Sequence, residues 1–189
     1  MESVKGSFLI ASPALADPNF NRTVVLITEH TSDGAFGLVV NRPAKQTVAD
    51  LWQILTEEPC ESLANAYSGG PVQPGALFVL HGCAELADDD PVIPGLYLGG
   101  DVGLLRRLLE REREEEVPKG EFFRVFCGYA GWGEGQLDGE LKSGGWLVQK
   151  ASPELVFSTP PESCWQKTMA RQGGAYEFFS LMPPDPELN

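Results

Sequence analysis

Two histidines, His30 and His81, and four cysteines, Cys60, Cys83, Cys127 and Cys164, carry much of the reactive chemistry available to this chain. A Cys–His or Ser–His–Asp arrangement would have to recruit one of the two histidines. Cys83 lies two residues after His81, so the pair shares a strand face if the strand continues. Glu29, His30, His81 and Cys83 would be enough for a metal, which needs three or four ligands. No ligand-spacing motif joins them, however, and each histidine reads as satisfying backbone groups at a strand end. Cys127 would be reactive only if a cation or a helix N-terminus lowered its pKa. Phe126 and Tyr129 beside it argue for a buried structural thiol. No G-x-S-x-G elbow is present. The sequence therefore assigns no catalytic residue, no metal and no cofactor.

Binding chemistry is more visible. Ser68-Gly69-Gly70-Pro71-Val72 has the small residues of a phosphate cradle. Yet Pro71 donates no N–H, and no Walker-type Lys-Ser/Thr follows, so it reads as a turn before a strand at Leu77. Leu98-Gly99-Gly100-Asp101 opens a helix, where Asp101 acts as the cap. Arg42, in Asn41-Arg42-Pro43, could clamp a carboxylate or pair with an acid of the chain itself, and Arg22 carries the same ambiguity. In Phe126–Leu141, glycines 128, 131, 133 and 135 interrupt Tyr129 and Trp132, which suggests a closely packed loop. Gln136 and Glu140 follow one helical turn apart and could face a shared pocket. The candidate ligand-binding surface is Tyr129, Trp132, Gln136 and Glu140, with Asn41 and Arg42 close by.

The elements that must position these residues follow from hydrophobic period and turn signals. Strands are expected at Phe8–Ala11, Thr23–Thr28, Phe36–Val40, Leu77–Leu80, Leu96–Leu98 and Phe122–Phe126. Further strands are expected at Trp146–Val148 and Leu155–Phe157. Thr23–Thr28 is apolar enough to be buried on both faces. The pair around Thr31–Gly34 reads as a hairpin. Thr47 caps a helix carrying Val48, Leu51, Trp52 and Leu55, which Pro59 stops. A second helix, with Leu104, Leu105, Leu108 and Leu109 on one face, turns polar from Arg111 to Glu116 and ends by Pro118 and Gly120. Short helices are expected at Gln136–Leu141 and Pro161–Arg171, the latter with Trp165 and Met169 on one face.

The chain of 189 residues suits one sizeable core. We expect a single domain over residues 1–180, with a discontinuous α/β side subdomain around 44–65 and 90–120 and a loose tail at 183–189. Lys5 and the run Phe8–Ala11 before Ala14-Leu15-Ala16 mimic a secretory signal. Pro13 breaks the run and Glu2 offsets Lys5, so a strand is preferred. No stretch approaches the roughly 20 apolar residues of a membrane helix. A net charge of −13 opposes the counterion release on which DNA binding depends. Direct non-specific nucleic-acid binding and membrane association are therefore not expected. Scattered cysteines without a CxxC pair favour reduced thiols in the cytoplasm.

Several motifs run in a fixed order: Gly6–Pro13, Phe20–Val25 with Glu29-His30, Gly34–Pro43, Gly69–Val72, Leu80-His81, and Gly128–Trp132 leading to Gln136-Leu137 and Glu140-Leu141. In order and spacing they resemble the YqgE/AlgH family of bacterial proteins, over nearly the whole chain from Gly6 to about Trp165. The resemblance implies a mixed α and β fold and a cytosolic protein without an established reaction. One branch of that family is named as a regulator of transcription in alginate production. The resemblance carries over no catalytic residues.

Together these readings give an α+β fold: a mixed, curved sheet or partly closed barrel of about eight strands, with helices packed outside. The function expected is a non-enzymatic binding or regulatory module whose partner is an unidentified protein or small ligand. The alternative is a hydrolase or transferase built on His30 or His81.

Overall fold

The computed structural model describes residues 2–15, 17–114 and 122–182. In chain order its elements are β1 (Ser7–Ala11), β2 (Val24–Thr31), β3 (Gly34–Val39), β4 (Pro43–Thr47), α1 (Val48–Thr56), β5 (Asn65–Ser68), β6 (Val72–His81) and β7 (Tyr97–Gly99). There follow α2 (Val102–Glu114), β8 (Phe123–Gly133), α3 (Gln136–Lys142), β9 (Trp146–Lys150), α4 (Pro153–Phe157), α5 (Pro161–Ala170) and α6 (Ala175–Ser180). Nine strands among the described residues form one mixed, open sheet in the order β4-β5-β8-β3-β2-β1-β9, with β6 branching from β8 and β7 from β6. The β5–β8 pairing is parallel and the others are antiparallel.

Strand alternation builds two cores. Phe8, Ile10, Val24 and Leu26 face one side, where Leu155 and Val156 of α4 and Trp165 and Met169 of α5 cover them. Leu9, Val25 and Ile27 face the other, with Phe20, Trp132, Leu137 and Trp146. A central strand with both faces apolar requires such double cover. Trp165 fixes α5 on the sheet by donating its Nε1–H to the carbonyl of Ala11 at 2.8 Å. A third cluster joins Val48 and Trp52 of α1 and Leu104, Leu105 and Leu108 of α2 to Val79, Phe123 and Val125. Thr47 caps α1 through a reciprocal pair with Asp50, and Asp101 accepts from the Leu104 N–H at 2.9 Å. These caps satisfy the donors that a helix start leaves without partners.

The glycine-rich stretch is strand, not loop. β8 runs from Phe123 through Gly133, its first part paired with β6 and β5 and its last four residues with β3. Close packing is the part of the expectation that holds. A Cβ on Gly69 would stand 2.2 Å from the Gly128 carbonyl oxygen, and one on Gly70 2.2 Å from the Tyr129 carbonyl carbon. Gly128 adopts φ +72, a region open chiefly to glycine. Backbone crosses backbone here. The Gly69 N–H donates to the carbonyl of Cys127 at 2.9 Å, which leaves it no role in a phosphate cradle.

Other differences have local causes. Leu155–Phe157 is helical, not a strand: Ser152 caps it and Pro153 opens its first turn. β6 begins at Val72, before Leu77, and ends at His81, so it does not carry His81 and Cys83 on one continuous strand face. α1 ends at Thr56 through a left-handed Glu57, two residues before Pro59. β4, β5 and α6 had no counterpart in the sequence pattern. Glu116, Pro118 and Gly120, expected to end the second helix, and the tail 183–189 lie outside the described residues.

Candidate functional site

Three of the six residues singled out from sequence converge. Gly135, at φ +66, starts α3, whose first turn sets Gln136 and Glu140 side by side. Gln136 Nε2 donates to Glu140 Oε1 at 2.9 Å. The other carboxylate oxygen accepts from two indoles, Trp132 Nε1–H at 3.0 Å and Trp146 Nε1–H at 2.7 Å. Gln136 Oε1 accepts from the Gly133 N–H at 3.2 Å. Phe20 stacks on Trp132 with centroids 6.0 Å apart and meets Trp146 edge-on at 5.4 Å. Every polar group of this assembly is therefore engaged with another part of the chain.

Asn41 and Arg42 hold the neighbouring turn. Asn41 accepts from the Val24 N–H at 2.8 Å and donates to the Arg22 carbonyl at 3.0 Å. Arg42 donates to the carbonyls of Asn19 and Asn21, on either side of Phe20. Burial lowers the Arg42 pKa, opposed by the charge of Asp17. Arg42 thus sets the turn that lays Phe20 on Trp132. Tyr129 belongs elsewhere: its ring packs on Phe36 at 4.6 Å and Phe78 at 5.9 Å, in the core opposite Trp132.

The reactive side chains stay apart. His30 Nδ1 accepts from the Val4 N–H at 3.2 Å, while Nε2 lies 3.6 Å from Asp138 Oδ1. Both ring nitrogens thus face fixed neighbours. His81 is 1% exposed and stacked on Tyr97 with centroids 5.6 Å apart, and its Nδ1 has no hydrogen-bond partner. Burial pushes its pKa down, partly offset by a hydrogen bond with the Cys83 backbone. Burial raises the pKa of the Cys127 thiol, and pushes that of Cys164 up to about 11. None of the four cysteines is in a disulfide. Among the described residues no three His, Cys, Asp or Glu side chains converge as metal ligands.

A cavity of about 620 Å³ opens between the end of α1, the segment 58–62 and α2. At its edge Arg106 makes a two-pronged pair with Glu58, at 2.8 and 3.2 Å, and lies over the Trp52 ring at 4.8 Å. Glu112, only 7% exposed, accepts from the Ser62 hydroxyl at 3.1 Å, and the Ser62 N–H donates to Cys60 Sγ at 3.4 Å. Pro59, Glu61, Leu109, Glu110 and Arg113 complete the lining. Sequence reasoning placed Glu112 in the polar run from Arg111 to Glu116, without deciding between a solvated face and an interface. The deciding signal was present: position 112 continues the Leu104–Leu108 stripe by one more turn. A carboxylate on the buried face of an amphipathic helix marks a polar environment beneath it.

The AlgH-like family profile matches residues 8–177. A UPF0301 protein of Chlorobium luteolum is 38% identical over 97% of this chain and 94% of its own length. A UPF0301 protein of Streptomyces coelicolor is 38% identical over 100% of this chain and 97% of its own. The solution structure of the AlgH protein from Pseudomonas aeruginosa superposes with a TM-score of 0.74 at 31% identity, covering 98% of this chain and 100% of that one. A crystal structure of a Corynebacterium diphtheriae protein gives 0.72 at 26% identity, covering 96% and 94%. Among the described residues no helix is long and apolar enough to cross a membrane.

Proposed function

The chain belongs to the AlgH-like family, and on that premise we propose that it is a non-catalytic binding module of regulation, taking a small ligand in the cavity between α1 and α2. One observation carries the reading. The cavity is of ligand size and combines a nearly buried carboxylate, an aromatic face and an ion pair at its edge, and neither histidine is among its lining residues. The His-based hydrolase or transferase draws little support from His30, whose Nδ1 already accepts a backbone N–H, or from His81, which is buried. The residues Trp132, Gln136, Glu140, Asn41 and Arg42 act in this reading as the scaffold that fixes α3 and the Phe20 turn, and Tyr129 as core. The helices α1 and α2, with the strands they cover, form the side unit that holds the ligand.

Regulation by such a module runs through a protein partner. The charge of −13 sets the long-range field against a DNA backbone. Four cysteines without a disulfide suit the reducing cytoplasm. The test is a thermal-shift screen of small molecules on the native protein and on protein alkylated at Cys60 with a bulky maleimide. Ligands of the cavity raise the melting temperature of the first and not of the second. The absence of any stabilising compound, or stabilisation that ignores the block, overturns the reading.

A further inference from the structure

We infer that His30 is the catch of a pH-sensitive strap: it holds residues 3–5 against the end of β2 only while its ring is neutral. The device is independent of the cavity between α1 and α2. Three hydrogen bonds fix the strap. The Val4 N–H donates to His30 Nδ1 at 3.2 Å, the Ser3 hydroxyl to the His30 carbonyl at 3.0 Å, and the Gly6 N–H to the Ile27 carbonyl at 2.8 Å. The pairing of β1 with β2 ends at Phe8 opposite Leu26, whereas β2 continues to Thr31. The strap thus runs beside the part of β2 that β1 does not reach. Val4 packs there against the core that holds Leu137 and Trp146.

The tautomer decides what a proton does. A ring nitrogen that accepts a hydrogen bond carries no hydrogen, so neutral His30 bears its own on Nε2. That N–H faces Asp138 Oδ1 of α3 at 3.6 Å, too far for a hydrogen bond, and this buried oxygen has no hydrogen-bond partner. The next proton can enter only at Nδ1, where it would meet the Val4 N–H head on. Two donors cannot share one line, so the charged ring has to release Val4. Once released, the ring is free to close on Asp138, whose negative charge favours the imidazolium. Strap and carboxylate therefore compete for one ring, the first for its neutral form and the second for its charged form. Imidazole is the side chain that changes charge between about pH 5 and 8. Asp138 is the carboxylate within ion-pair range of the ring among the described residues. Glu29 beside it on β2, and Glu2 and Lys5 at the strap, are exposed, and β3 sets Ala35 opposite it.

Nitrogen NMR of the labelled protein, from about pH 7.5 down to about pH 5, tests the catch. The chemical shift of His30 Nδ1 reports whether it carries a proton. The exchange rate of the Val4 amide, relative to that of an unstructured chain at the same pH, reports whether the strap is docked. Nδ1 is expected to gain its proton across this range while Val4 protection falls at least about 10-fold with the same midpoint. The amides of residues 8–10, inside β1, should keep their protection. His30→Phe should leave Val4 unprotected at both ends of the range. Asp138→Asn removes the charge that favours the imidazolium and should move the midpoint to lower pH. Asp138 is part-exposed in the first turn of α3, so this variant keeps the test decisive if the first does not fold. A protonated Nδ1 at the upper pH, or a ring still neutral at the lower one, overturns the inference. So does Val4 protection that ignores the proton or the His30→Phe change, or a midpoint unmoved in Asp138→Asn.

Discussion

Replacing Glu140 with alanine would strand two indole N–H groups inside the protein. Trp132 and Trp146 are 6% and 3% exposed, and both donate to the same carboxylate oxygen. Leaving a buried donor without its acceptor costs about 1–3 kcal/mol. Gln136 is exposed and exchanges its bond for water at little cost. Water can also reach part of the space that Glu140 vacates. The expected loss for Glu140→Ala is therefore about 2–4 kcal/mol, or a fall in melting temperature of roughly 10 °C for a chain of this length.

Glu140→Gln separates hydrogen bonding from packing. It keeps one acceptor oxygen but turns an NH2 toward one partner, so it should cost about half as much. Urea unfolding followed by tryptophan fluorescence measures both variants. A cycle with Trp146→Phe isolates the pair, because removing the donor should make loss of the acceptor cheaper by about 1 kcal/mol or more. Glu140→Ala within about 0.5 kcal/mol of the parent, the range of ordinary surface changes, would refute the scaffold assignment. So would equal losses for the alanine and glutamine variants.

Gly69→Ala puts a Cβ against the Gly128 carbonyl and should cost about 1–3 kcal/mol or more, read from the urea midpoint. Arg42→Ala frees the carbonyls flanking Phe20 and should cost about 1–3 kcal/mol, with altered tryptophan emission because Phe20 leaves Trp132. His81 gives a pH effect with a defined sign. Its folded pKa lies below the ordinary value of 6.5, so the unfolded chain takes the proton first as pH falls. Its contribution is thus intact above pH 6.5 and is lost on acidification toward the folded pKa, at up to about 1.4 kcal/mol per pH unit. Subtracting the stability profile of His81→Phe from that of the parent should isolate this slope; a flat difference would remove His81 as its source. Ser152→Ala removes the cap of α4 and should cost about 1 kcal/mol, without change in the urea slope.

The sheet was legible where local signals and tertiary demand agree. Thr23–Thr28 read as a doubly buried strand because both its faces are apolar, and Phe8–Ala11 as a short apolar strand. Thr47 and Asp101 announced two helices through their caps. β4 was invisible: Pro43, Lys45 and Gln46 are the residues of a blunted edge strand, which resembles a loop in composition. Leu155–Phe157 misled because three apolar residues outweighed Ser152-Pro153, a helix start. Gln136 and Glu140 were correctly read as one turn apart. Trp146, which donates to Glu140, and Phe20, which stacks on Trp132, were not foreseen, since they arrive from β9 and from the turn before β2. The cavity was hidden for a similar reason. Trp52 and Glu112 are sixty residues apart and meet only because α1 and α2 share the floor formed by β6 and β8.

The stretch by which this family is recognised and the place where a ligand is proposed to sit do not coincide, and the physical reason is valence. A distinctive cluster of aromatic and polar residues can bind something only with the donors and acceptors that folding leaves over. Around Trp132 folding leaves few: both indoles, both oxygens of Glu140 and both ends of Gln136 have partners within the chain. The glycines of β8 are accounted for in part by Gly128 and its crossing with Gly69 and Gly70. Beneath α2 folding leaves open space instead. There the Glu112 carboxylate accepts from the Ser62 hydroxyl in the lining of a cavity of about 620 Å³, with the Trp52 ring beside it. Distinctive sequence here specifies how the backbone closes, while the recognition we propose falls to residues of ordinary type that the closed fold brings together.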